Sequence, residues 1–437
     1  MNRLGSLSAL PRVCIVTPGH LSTNPRVVKE ADALAGAGYE VRVISADYLH
    51  WAREADRIFN DRIWSVADKV RFGPDAAQPS RALQLLRQHS ARLMVAGRIS
   101  SLAVARAACH PIGPDLVAAA VRVPAALYIA HYTAALPAAA IAARRYGALY
   151  AFDAEDYHLG ELPELPQYNV ERQSVHAIEK YYLGGCSYVT AASPGIADAY
   201  AQTYKIKRPT VILNVFPRAR APCECTAGGI SSPGPSVYWF SQTIGPNRGL
   251  ECAVNAIGLA RSQPHLYLRG IPARGFVEHL RTMAAVSAVA DRIHILPPAL
   301  PSDLERLATA YDVGLVGETG YSPNRRIALT NKLFIYLLAG VPVVMSDIPA
   351  HKEFASEAGI AAQLYAADDA DSLAAVLDTF LGDPKMLAAR RAAAFHLGQT
   401  RFNWETEQLT LLNCIRTAFG ANAKADPACV TIASPKT

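Results

Sequence analysis

The chain has 437 residues and a net charge of +6, with hydrophobic residues at 51% of positions and charged residues at 18%. This length exceeds what one hydrophobic core usually serves, so two domains are expected, and the composition excludes intrinsic disorder. The mildly basic balance favours an anionic ligand or an anionic membrane surface. No nucleic-acid-binding motif accompanies it, so we expect no nucleic acid partner.

The cysteines predict a reducing compartment. Eight are scattered along the chain, and the close pair Cys223 and Cys225 is spaced too tightly for paired metal ligands. Residues 1–19 lack the apolar core of a signal peptide, and charge and proline interrupt the apolar stretch 116–143. We therefore expect a cytoplasmic protein with no metal and no cofactor.

Apolar runs alternate with helical segments through the first half of the chain. The first run, 12–18, precedes a helix expected to begin with Asn24 as N-cap and Pro25 at its first position, and to end at Gly36 or Gly38. Further strands are predicted at 41–46, 127–131, 149–156 and 188–193, and further helices at 134–145 and 171–183. This alternation predicts an α/β domain with a doubly wound parallel sheet.

A segment rich in proline, glycine and serine, 217–236, is interpreted as a linker between domains of residues 1–216 and 237–399. The alternation resumes after it. Strands are predicted at 237–242, 266–270, 293–297, 313–317 and 341–347, with helices at 249–262, 274–286, 302–310 and 330–339. A last helical region, 384–419, is expected to return to the first domain through residues 400–420, and 421–437 to form a frayed tail.

The loop after the first strand of the second domain, SQTIGPNRGLE at 241–251, is a candidate anion site. Ligands of doubly wound sheets bind beyond the carboxyl ends of the strands. Gly245 and Gly249 let the backbone approach a ligand, the following helix offers N–H groups to phosphate, and Arg248 adds a charge, as does Arg269 after the next strand. The alternative is a turn with solvated arginines, because isolated glycine loops are weak signals.

A second candidate anion site lies at the start of the helix predicted at 330–339. Thr330, Asn331 and Lys332 place a hydroxyl, an amide and an ammonium group at a helix N-terminus, where phosphate is favoured. The alternative is a well-capped helix without a ligand.

Polar residues also follow two predicted strands of the first domain. His131 ends one of them, and DAEDYHLGE at 153–161 places Asp153 and Glu155 after the next. One of these acids is a candidate base or hydroxyl anchor. The alternatives are a structural histidine and a solvated acidic loop.

Six segments in register resemble the retaining GT-B glycosyltransferases of the group 1, or family 4, type. The resemblance runs from about residue 11 to 415. Its segments are TPGHLSTNPRVVKEADALAGAGYEVRVIS, AALYIAHYTAALPAAAIAARRYGALYAFDAED, ASPGIADAYAQTY with ILNVFP, QTIGPNRGLE, LTNKLFIYLLAGVPVVMSDIPAHKEF and RFNWE. Each segment alone is weakly specific, whereas their shared order is a strong signal.

The resemblance implies two Rossmann-like domains facing across a cleft, with a C-terminal helix crossing back to the first. It implies a nucleoside-diphosphate sugar bound mainly by the second domain, an acceptor bound mainly by the first, and transfer with retention and without a metal. Arg248 matches one basic position at the diphosphate. The other basic position is occupied by Gln242 or Thr243, for which Arg269 could compensate.

Residues of the first domain are carried over in the same way. His131 matches a histidine that lies near the transferred sugar. The loop of Gly19 and Ser22 to Arg26, which includes Asn24, matches the loop that lines the cleft opposite the donor. With Asp153 and Glu155, these residues form the candidate acceptor side.

The sequence departs from the family at a pair of acids. Two glutamates with seven residues between them are common on the donor-binding segment, and Ile327 and Ile335 occupy the equivalent positions here. Each loss weakens a hydroxyl contact by about 1 kcal/mol or more. The branch with an NKLFEY-like segment also lacks the first acid. Glu318, at the end of the preceding strand, is the candidate substitute for the second, and a surface loop residue is the alternative.

Residues 81–106 contain five arginines and no acid. On one ideal helix the arginines would fall within an arc of roughly 140°, and Gly97 is a candidate break in that helix. We expect either a peripheral contact with the inner face of an anionic membrane, suited to a lipid-linked acceptor, or an amphipathic helix against the first domain with solvated arginines.

The leading hypothesis is a glycosyltransferase that moves a sugar from a nucleoside diphosphate to a glycan or lipid-linked acceptor in surface polysaccharide or glycolipid synthesis. The missing acids support the alternative of a non-catalytic GT-B protein that binds a nucleotide-sugar or a partner transferase. A third hypothesis is a two-domain nucleotide-sugar epimerase.

Overall fold

A computed structural model describes residues 10–73, 78–99, 101–222 and 233–425. The chain forms two compact units. The first contains the chain up to Ala192, Ile196–Ile212 and the chain from Gln408 onward, and the second contains Ser193–Gly195 and Leu213–Glu407.

The first unit is built on a parallel sheet of seven strands in the order β3-β2-β1-β4-β5-β6-β7. The strands are β1 Leu10–Val16, β2 Tyr39–Asp47, β3 Ser65–Arg71, β4 Leu127–His131, β5 Leu149–Ala154, β6 Val189–Ala191 and β7 Thr210–Val211. The helices that accompany it are α1 Pro25–Gly36, α2 His50–Ala55, α3 Gln78–Ala96, α4 Leu102–Cys109, α5 Gly113–Ala120, α6 Leu136–Tyr146, α7 Asn169–Tyr182 and α8 Pro194–Tyr204.

The second unit has a parallel sheet of six strands in the order β10-β9-β8-β11-β12-β13. Its strands are β8 Ser236–Ile244, β9 His265–Pro272, β10 Ile293–Leu296, β11 Val313–Val316, β12 Val343–Ser346 and β13 Ala362–Tyr365. Its helices are α9 Leu250–Leu259, α10 Phe276–Val286, α11 Leu304–Ala308, α12 Pro323–Ile327, α13 Asn331–Leu338, α14 Pro349–Ala358, α15 Ala370–Leu381 and α16 Pro384–Thr400. The last helix, α17 Trp404–Ala425, runs from this unit into the first.

Local sequence signals explain how the first βαβ unit forms. Val13–Val16 are fully buried, as expected for a central strand of a parallel sheet. The Asn24 side chain caps α1 by accepting a hydrogen bond from the backbone N–H of Val27 at 3.2 Å, and Pro25 occupies the first helical position. The predicted start of this helix and the predicted doubly wound sheets are confirmed.

The region expected to be helical over 384–419 forms two helices with a break at Arg401–Asn403. Asn403 explains the break, because its amide group donates to the carbonyls of Gly398 and Gln399 while its oxygen accepts from the N–H of Thr406. The side chain thus ends α16 and begins α17. From Gln408 onward α17 belongs to the first unit, where the ring of Phe419 stacks on Tyr39.

Two further expectations are corrected. The helix drawn through residues 81–106 is interrupted at the candidate break Gly97, because α3 ends at Ala96 and α4 begins at Leu102. The expected tail is helical as far as Ala425, and its residues 426–437 lie outside the described residues, as does the middle of the predicted linker, 223–232.

Strand order places one reversal point in each sheet. In the first sheet the order reverses between β1 and β4, and in the second between β8 and β11. Loops at the carboxyl ends of such strand pairs leave toward opposite faces and open a crevice for ligands. These two places therefore position the candidate site residues.

Candidate functional site

At the reversal point of the second sheet, the loops after β8 and β11 pack against each other. Gly249 has a φ of +67°, and a Cβ at this position would collide with the carbonyl oxygen of Gly317. The Thr319 hydroxyl donates to the carbonyl of Asn247 at 3.4 Å and joins the same two loops. Glycine at 249 thus brings Arg248 close to the end of β11.

A buried ion pair lies beside this contact. Lys332 Nζ is 2.9 Å from Glu318 Oε1, and both side chains are buried. The ammonium group also lies 5.6 Å from the centre of the Trp239 ring. Burial raises the pKa of Glu318, but the charges of Lys332 and Arg325 outweigh it and lower this pKa to about 2. Burial lowers the pKa of Lys332, and Glu318 partly offsets that shift.

Cations outnumber the carboxylate at this place. Arg325 Nη1 lies 3.7 Å from the second oxygen of Glu318, and Arg248, which donates to the Ser241 hydroxyl at 3.1 Å, interacts electrostatically with both Glu318 and Arg325. Burial is the main reason that the pKa of Arg248 is lowered. Three cationic side chains around one buried carboxylate leave an excess positive charge, which favours an anionic ligand.

The N-terminus of α13 adds hydrogen-bond donors to the cationic cluster. Thr330 occupies the N-cap position, but its side chain makes no capping bond, and its buried Oγ1 has no hydrogen-bond partner among the described residues. Asn331 is exposed, whereas Lys332 points into the ion pair. The hydroxyl and the first N–H groups of the helix suit a phosphate oxygen.

The two isoleucines differ in exposure. Ile335 is 2% exposed within α13. Ile327 ends α12 half-buried, and its carbonyl accepts a hydrogen bond from Ser193 Oγ at 2.6 Å. Neither side chain offers a hydrogen-bond acceptor to a ligand.

The contacts of Arg269 are with residues outside the cationic cluster. Its guanidinium donates to the Tyr238 hydroxyl and to the Pro297 carbonyl, both at 2.8 Å. Gly245, which has an ordinary φ, follows β8 in the same loop as Arg248. The sequence placed Arg248, Glu318 and Lys332 on three separate segments, and the structure brings these three together. Donor binding by Gly245 and Arg269 stays a prediction.

In the first sheet, His131 and Asp153 end the neighbouring strands β4 and β5 and belong to a buried charge network. His131 Nε2 is 2.5 Å from Glu30, and Asp153 accepts two hydrogen bonds from Arg26 at 2.5 and 2.7 Å. Burial lowers the pKa of His131, but the hydrogen bond and charge of Glu30 outweigh it and raise this pKa above its usual value. Arg26 also donates to the carbonyl of Ile212 at 2.7 Å, so the network anchors helix α1 to the sheet.

The loop after β1 is held by hydrogen bonds to its own domain. The Ser22 N–H donates to Asp56 at 2.8 Å, and the Gly19 N–H donates to the Thr17 hydroxyl at 3.2 Å. His20 accepts from the N–H groups of Tyr48 and Leu49 at Nε2, so its Nδ1 carries the hydrogen that binds Asp56. Acceptor binding by Gly19, Ser22, Asn24 and Arg26 stays a prediction.

Glu155 follows β5 and is half-buried beside Tyr132, whose hydroxyl donates to it at 3.3 Å. Burial and the neighbouring Asp156 raise the pKa of Glu155. Tyr132 has a φ of +65°, an unfavourable conformation for a side chain of this size, directly after His131. This acid therefore has the raised pKa that suits a hydroxyl anchor or base.

Sequence reasoning missed Arg325, Glu30 and Tyr132. Arg325 and Arg326 form a basic pair just before Ile327, and this pair was a sequence signal for a further cation at the site. Glu30 lies within the helix predicted to begin at Pro25, and its contact with His131 depends on the tertiary fold. The strained backbone of Tyr132 leaves no mark in a sequence.

Two kinds of feature are absent from the described part of the chain. No helix there is long and apolar enough to cross a membrane. No three histidine, cysteine, aspartate or glutamate side chains within those residues are grouped to hold a metal ion.

Comparison with solved structures identifies the fold. No protein-family model and no curated protein matches the chain. Anabaena Alr3699/HepE in complex with UDP and glucose is 16% identical, with a TM-score of 0.67, over 93% of this chain and 100% of that one. Sucrose-phosphate synthase (tll1590) from Thermosynechococcus elongatus is 16% identical, with a TM-score of 0.69, over 94% and 100%. The fold is therefore that of GT-B glycosyltransferases.

More distant structures agree with this assignment. A point mutant of S. aureus TarM, in complex with Fondaparinux, alpha-GlcNAc-glycerol and UDP, is 10% identical, with a TM-score of 0.61, over 93% of this chain and 99% of that one. At such low identity the likeness describes the fold alone.

Breaking the Glu318–Lys332 pair on one side is expected to destabilise the protein strongly. Glu318→Gln alone should cost about 3–5 kcal/mol, because it leaves the buried Lys332 charge without its carboxylate. Lys332→Met alone should cost less, because Glu318 keeps the more distant Arg325 as a partner. The double variant should cost less than the sum of the two. Denaturant unfolding measures these values. Lys352→Met, in the exposed pair with Asp347, is the control and should cost about 0–1 kcal/mol. Additive costs would contradict the coupling.

The buried His131 should give a pH-dependent contribution to stability. Its folded pKa lies above the ordinary value of 6.5, so the contribution is complete below pH 6.5 and is lost as pH rises through the folded pKa. The difference in unfolding free energy between the wild type and His131→Gln should therefore shrink at alkaline pH. Denaturant titrations from about pH 6 to pH 9 measure it, and a difference that grows with pH would refute the assignment.

Proposed function

We propose that this protein is a glycosyltransferase that binds the diphosphate of a nucleotide-sugar at the cationic cluster of its second domain. The observation that carries the proposal is the excess of positive charge from Arg248, Arg325 and Lys332 around Glu318, at the reversal point of a doubly wound sheet. A diphosphate would supply the negative charge needed to balance these three cations. Thr330 and the N-terminus of α13 supply neutral donors to the same group.

The chemistry proposed for this site is stabilisation of the leaving diphosphate. As the bond between the sugar carbon and the phosphate oxygen breaks, negative charge collects on the diphosphate, and fixed cations lower the energy of that state. We further propose transfer with retention, of the family 4 type, in which the leaving phosphate takes the proton of the incoming hydroxyl on the same face. No carboxylate at position 327 or 335 is needed for either role.

The acceptor is proposed to bind the first domain near Glu155 and Tyr132. Both lie at the carboxyl edge of the sheet, beside its reversal point, where doubly wound domains bind ligands. A carboxyl group with a raised pKa and a phenol suit the hydroxyls of a glycan. His131 is 1% exposed and held by Glu30, so we assign it the role of positioning Asp153 and Arg26.

A lipid-linked acceptor and a peripheral membrane contact in surface polysaccharide or glycolipid synthesis are further parts of the proposal. Leu83, Leu86, Leu93 and Met94 are exposed on α3 and fall within roughly 100° of arc on an ideal helix. The other side of α3 packs through Ala91 and Val95. An apolar stripe of this kind suits insertion at a bilayer surface.

The arginines support this contact less than the sequence suggested. Arg87 pairs with Asp115 at 2.7 Å and Arg92 pairs with Glu171, while Arg106 lies on a separate helix. Arg98 is exposed just beyond α3. The proposed membrane contact therefore depends mainly on insertion of the apolar stripe into the bilayer. Arg98 is the nearby positive charge that would face the anionic headgroups.

A non-catalytic protein that binds a nucleotide-sugar is the second candidate, favoured by the buried apolar side chain of Ile335, which offers no hydrogen-bond acceptor. Release of free nucleotide diphosphate from a bound donor, lost on substitution of Arg248, would distinguish the enzyme from this candidate.

Removal of the half-buried arginines should weaken donor binding. Arg248→Gln and Arg325→Gln should each reduce affinity about tenfold or more, because each loses a charged contact to the diphosphate. Thermal shift with UDP-, GDP-, ADP- and dTDP-sugars measures it, since ligand at a hundred times Kd stabilises by about 2.7 kcal/mol. Arg281→Gln, exposed on α10, is the control. If a donor binds both variants with the affinity that it has for the wild type, its phosphates do not bind at the cationic cluster.

Charges on the exposed stripe of α3 should weaken membrane binding. Leu86→Asp with Leu93→Asp should reduce co-sedimentation with vesicles of anionic phospholipid at least about tenfold, because two exposed leucines that the bilayer would bury are lost. Leu409→Asp, equally exposed on α17, should bind as the wild type does. A wild type that stays in the supernatant would exclude this contact.

A further inference from the structure

An exposed tryptophan lies at the carboxyl edge of the first sheet. Trp51, in the helix that follows β2, is 59% exposed, whereas the other three tryptophans of the chain, Trp64, Trp239 and Trp404, are buried. Tryptophan is on average a well-buried residue, because an indole left in water forgoes the burial of a large apolar surface. The exposed ring of Trp51 therefore offers that surface to a ligand.

The short helix α2 that carries this ring is fastened to the loop after β1. Nε2 of His20 accepts hydrogen bonds from the N–H groups of Tyr48 and Leu49, both at 2.9 Å, directly before α2 begins. The Ser22 hydroxyl donates to the carbonyl of Ala52 at 3.2 Å. Ala52 follows the tryptophan directly, so the backbone beneath the ring is held against the loop predicted to bind the acceptor. A ring on such a support loses little conformational freedom when a ligand binds.

Strand order gives the distance between this ring and the acceptor site proposed above. The strands β1 and β4 lie between β2, which leads into α2, and β5, which leads to Glu155. Three steps of about 4.8 Å between neighbouring strands place the two loops roughly 14 Å apart along the carboxyl edge. One sugar ring is shorter than this span, whereas an oligosaccharide bridges it.

The polar surroundings of Trp51 suit a sugar ring. The face of such a ring presents C–H groups with a slight positive charge, which pack on the negative face of an indole. Glu54, one helical turn from Trp51, pairs with Arg57 at 2.8 Å, and both side chains are exposed. Together they offer acceptors and donors to hydroxyl groups at the rim of the sugar. An exposed carboxylate beside the ring opposes insertion into an anionic bilayer.

We propose that Trp51 binds a sugar ring of the acceptor by stacking, and that the acceptor is a glycan of at least two sugar units. This inference rests on the function proposed above and names the substrate class of its acceptor side. The sugar unit that receives the transferred sugar lies near Glu155 and Tyr132. A ring farther along the same glycan lies on Trp51.

The first test measures binding of the full chain, with and without UDP, to an array of defined glycans from monosaccharides to longer oligosaccharides. The wild type should bind at least one glycan of two or more units, and should bind the constituent monosaccharides at least about tenfold more weakly. Trp51→Ala should reduce the affinity for that glycan at least about tenfold, and Trp51→Phe should keep part of it, because a smaller aromatic face remains. Ile58→Ala removes a comparably exposed apolar side chain from the same segment and should bind as the wild type does.

Tryptophan fluorescence of the wild type gives a second readout that does not depend on any variant. Because the other three tryptophans are buried, acrylamide should quench mainly the emission of Trp51. The glycan found on the array should protect this emission from quenching. Vesicles of anionic phospholipid form the other arm. Protection by vesicles and not by glycan would assign the ring to a bilayer surface and overturn the inference.

The outcomes separate this inference from the proposed function. If no glycan binds, or if the Trp51 variants bind a glycan as tightly as the wild type does, the inference fails and donor binding is unaffected. If no nucleotide-sugar gives a thermal shift with the wild type, the proposed function fails, whatever the glycan array shows.

Discussion

The ion pair between Glu318 and Lys332 joins the loop after β11 to the first turn of α13, with both charges out of water. Neither charge is tolerated there alone, so the loop and the helix must fold together. Arg325 and Arg248 depend on the same carboxylate, because without it three cations would repel one another in a half-buried place. The carboxylate thus allows the protein to assemble a cationic site before any anion arrives.

The two domains handle charge at their reversal points differently. In the first, Arg26 and His131 face Asp153 and Glu30, and the charges balance within a buried network. In the second, the cations exceed the acid. A balanced network gives rigidity and no attraction for an ion, whereas an unbalanced one attracts an anion. This contrast favours phosphate recognition in the second domain and neutral hydroxyl recognition in the first.

The sequence predicted the sheets because buried parallel strands leave continuous apolar runs, and Asn24–Pro25 and Gly249 mark helix starts chemically. It also named Arg248, Glu318 and Lys332, since each follows a strand or begins a helix. It could not supply their mutual contacts, which depend on strand order. The break after Ala96 falls at Gly97, the residue at which the sequence indicated an interruption of the helix drawn through 81–106.

The contact between Gly249 and the carbonyl of Gly317 has a consequence for the redesign of these two loops. The two loops share one space, so neither can be lengthened or exchanged alone without displacing the other. A chimaera that takes the loop after β8 from another protein of this fold must take the loop after β11 from the same source. The exchangeable unit at this edge of the sheet is therefore a pair of segments far apart in the chain.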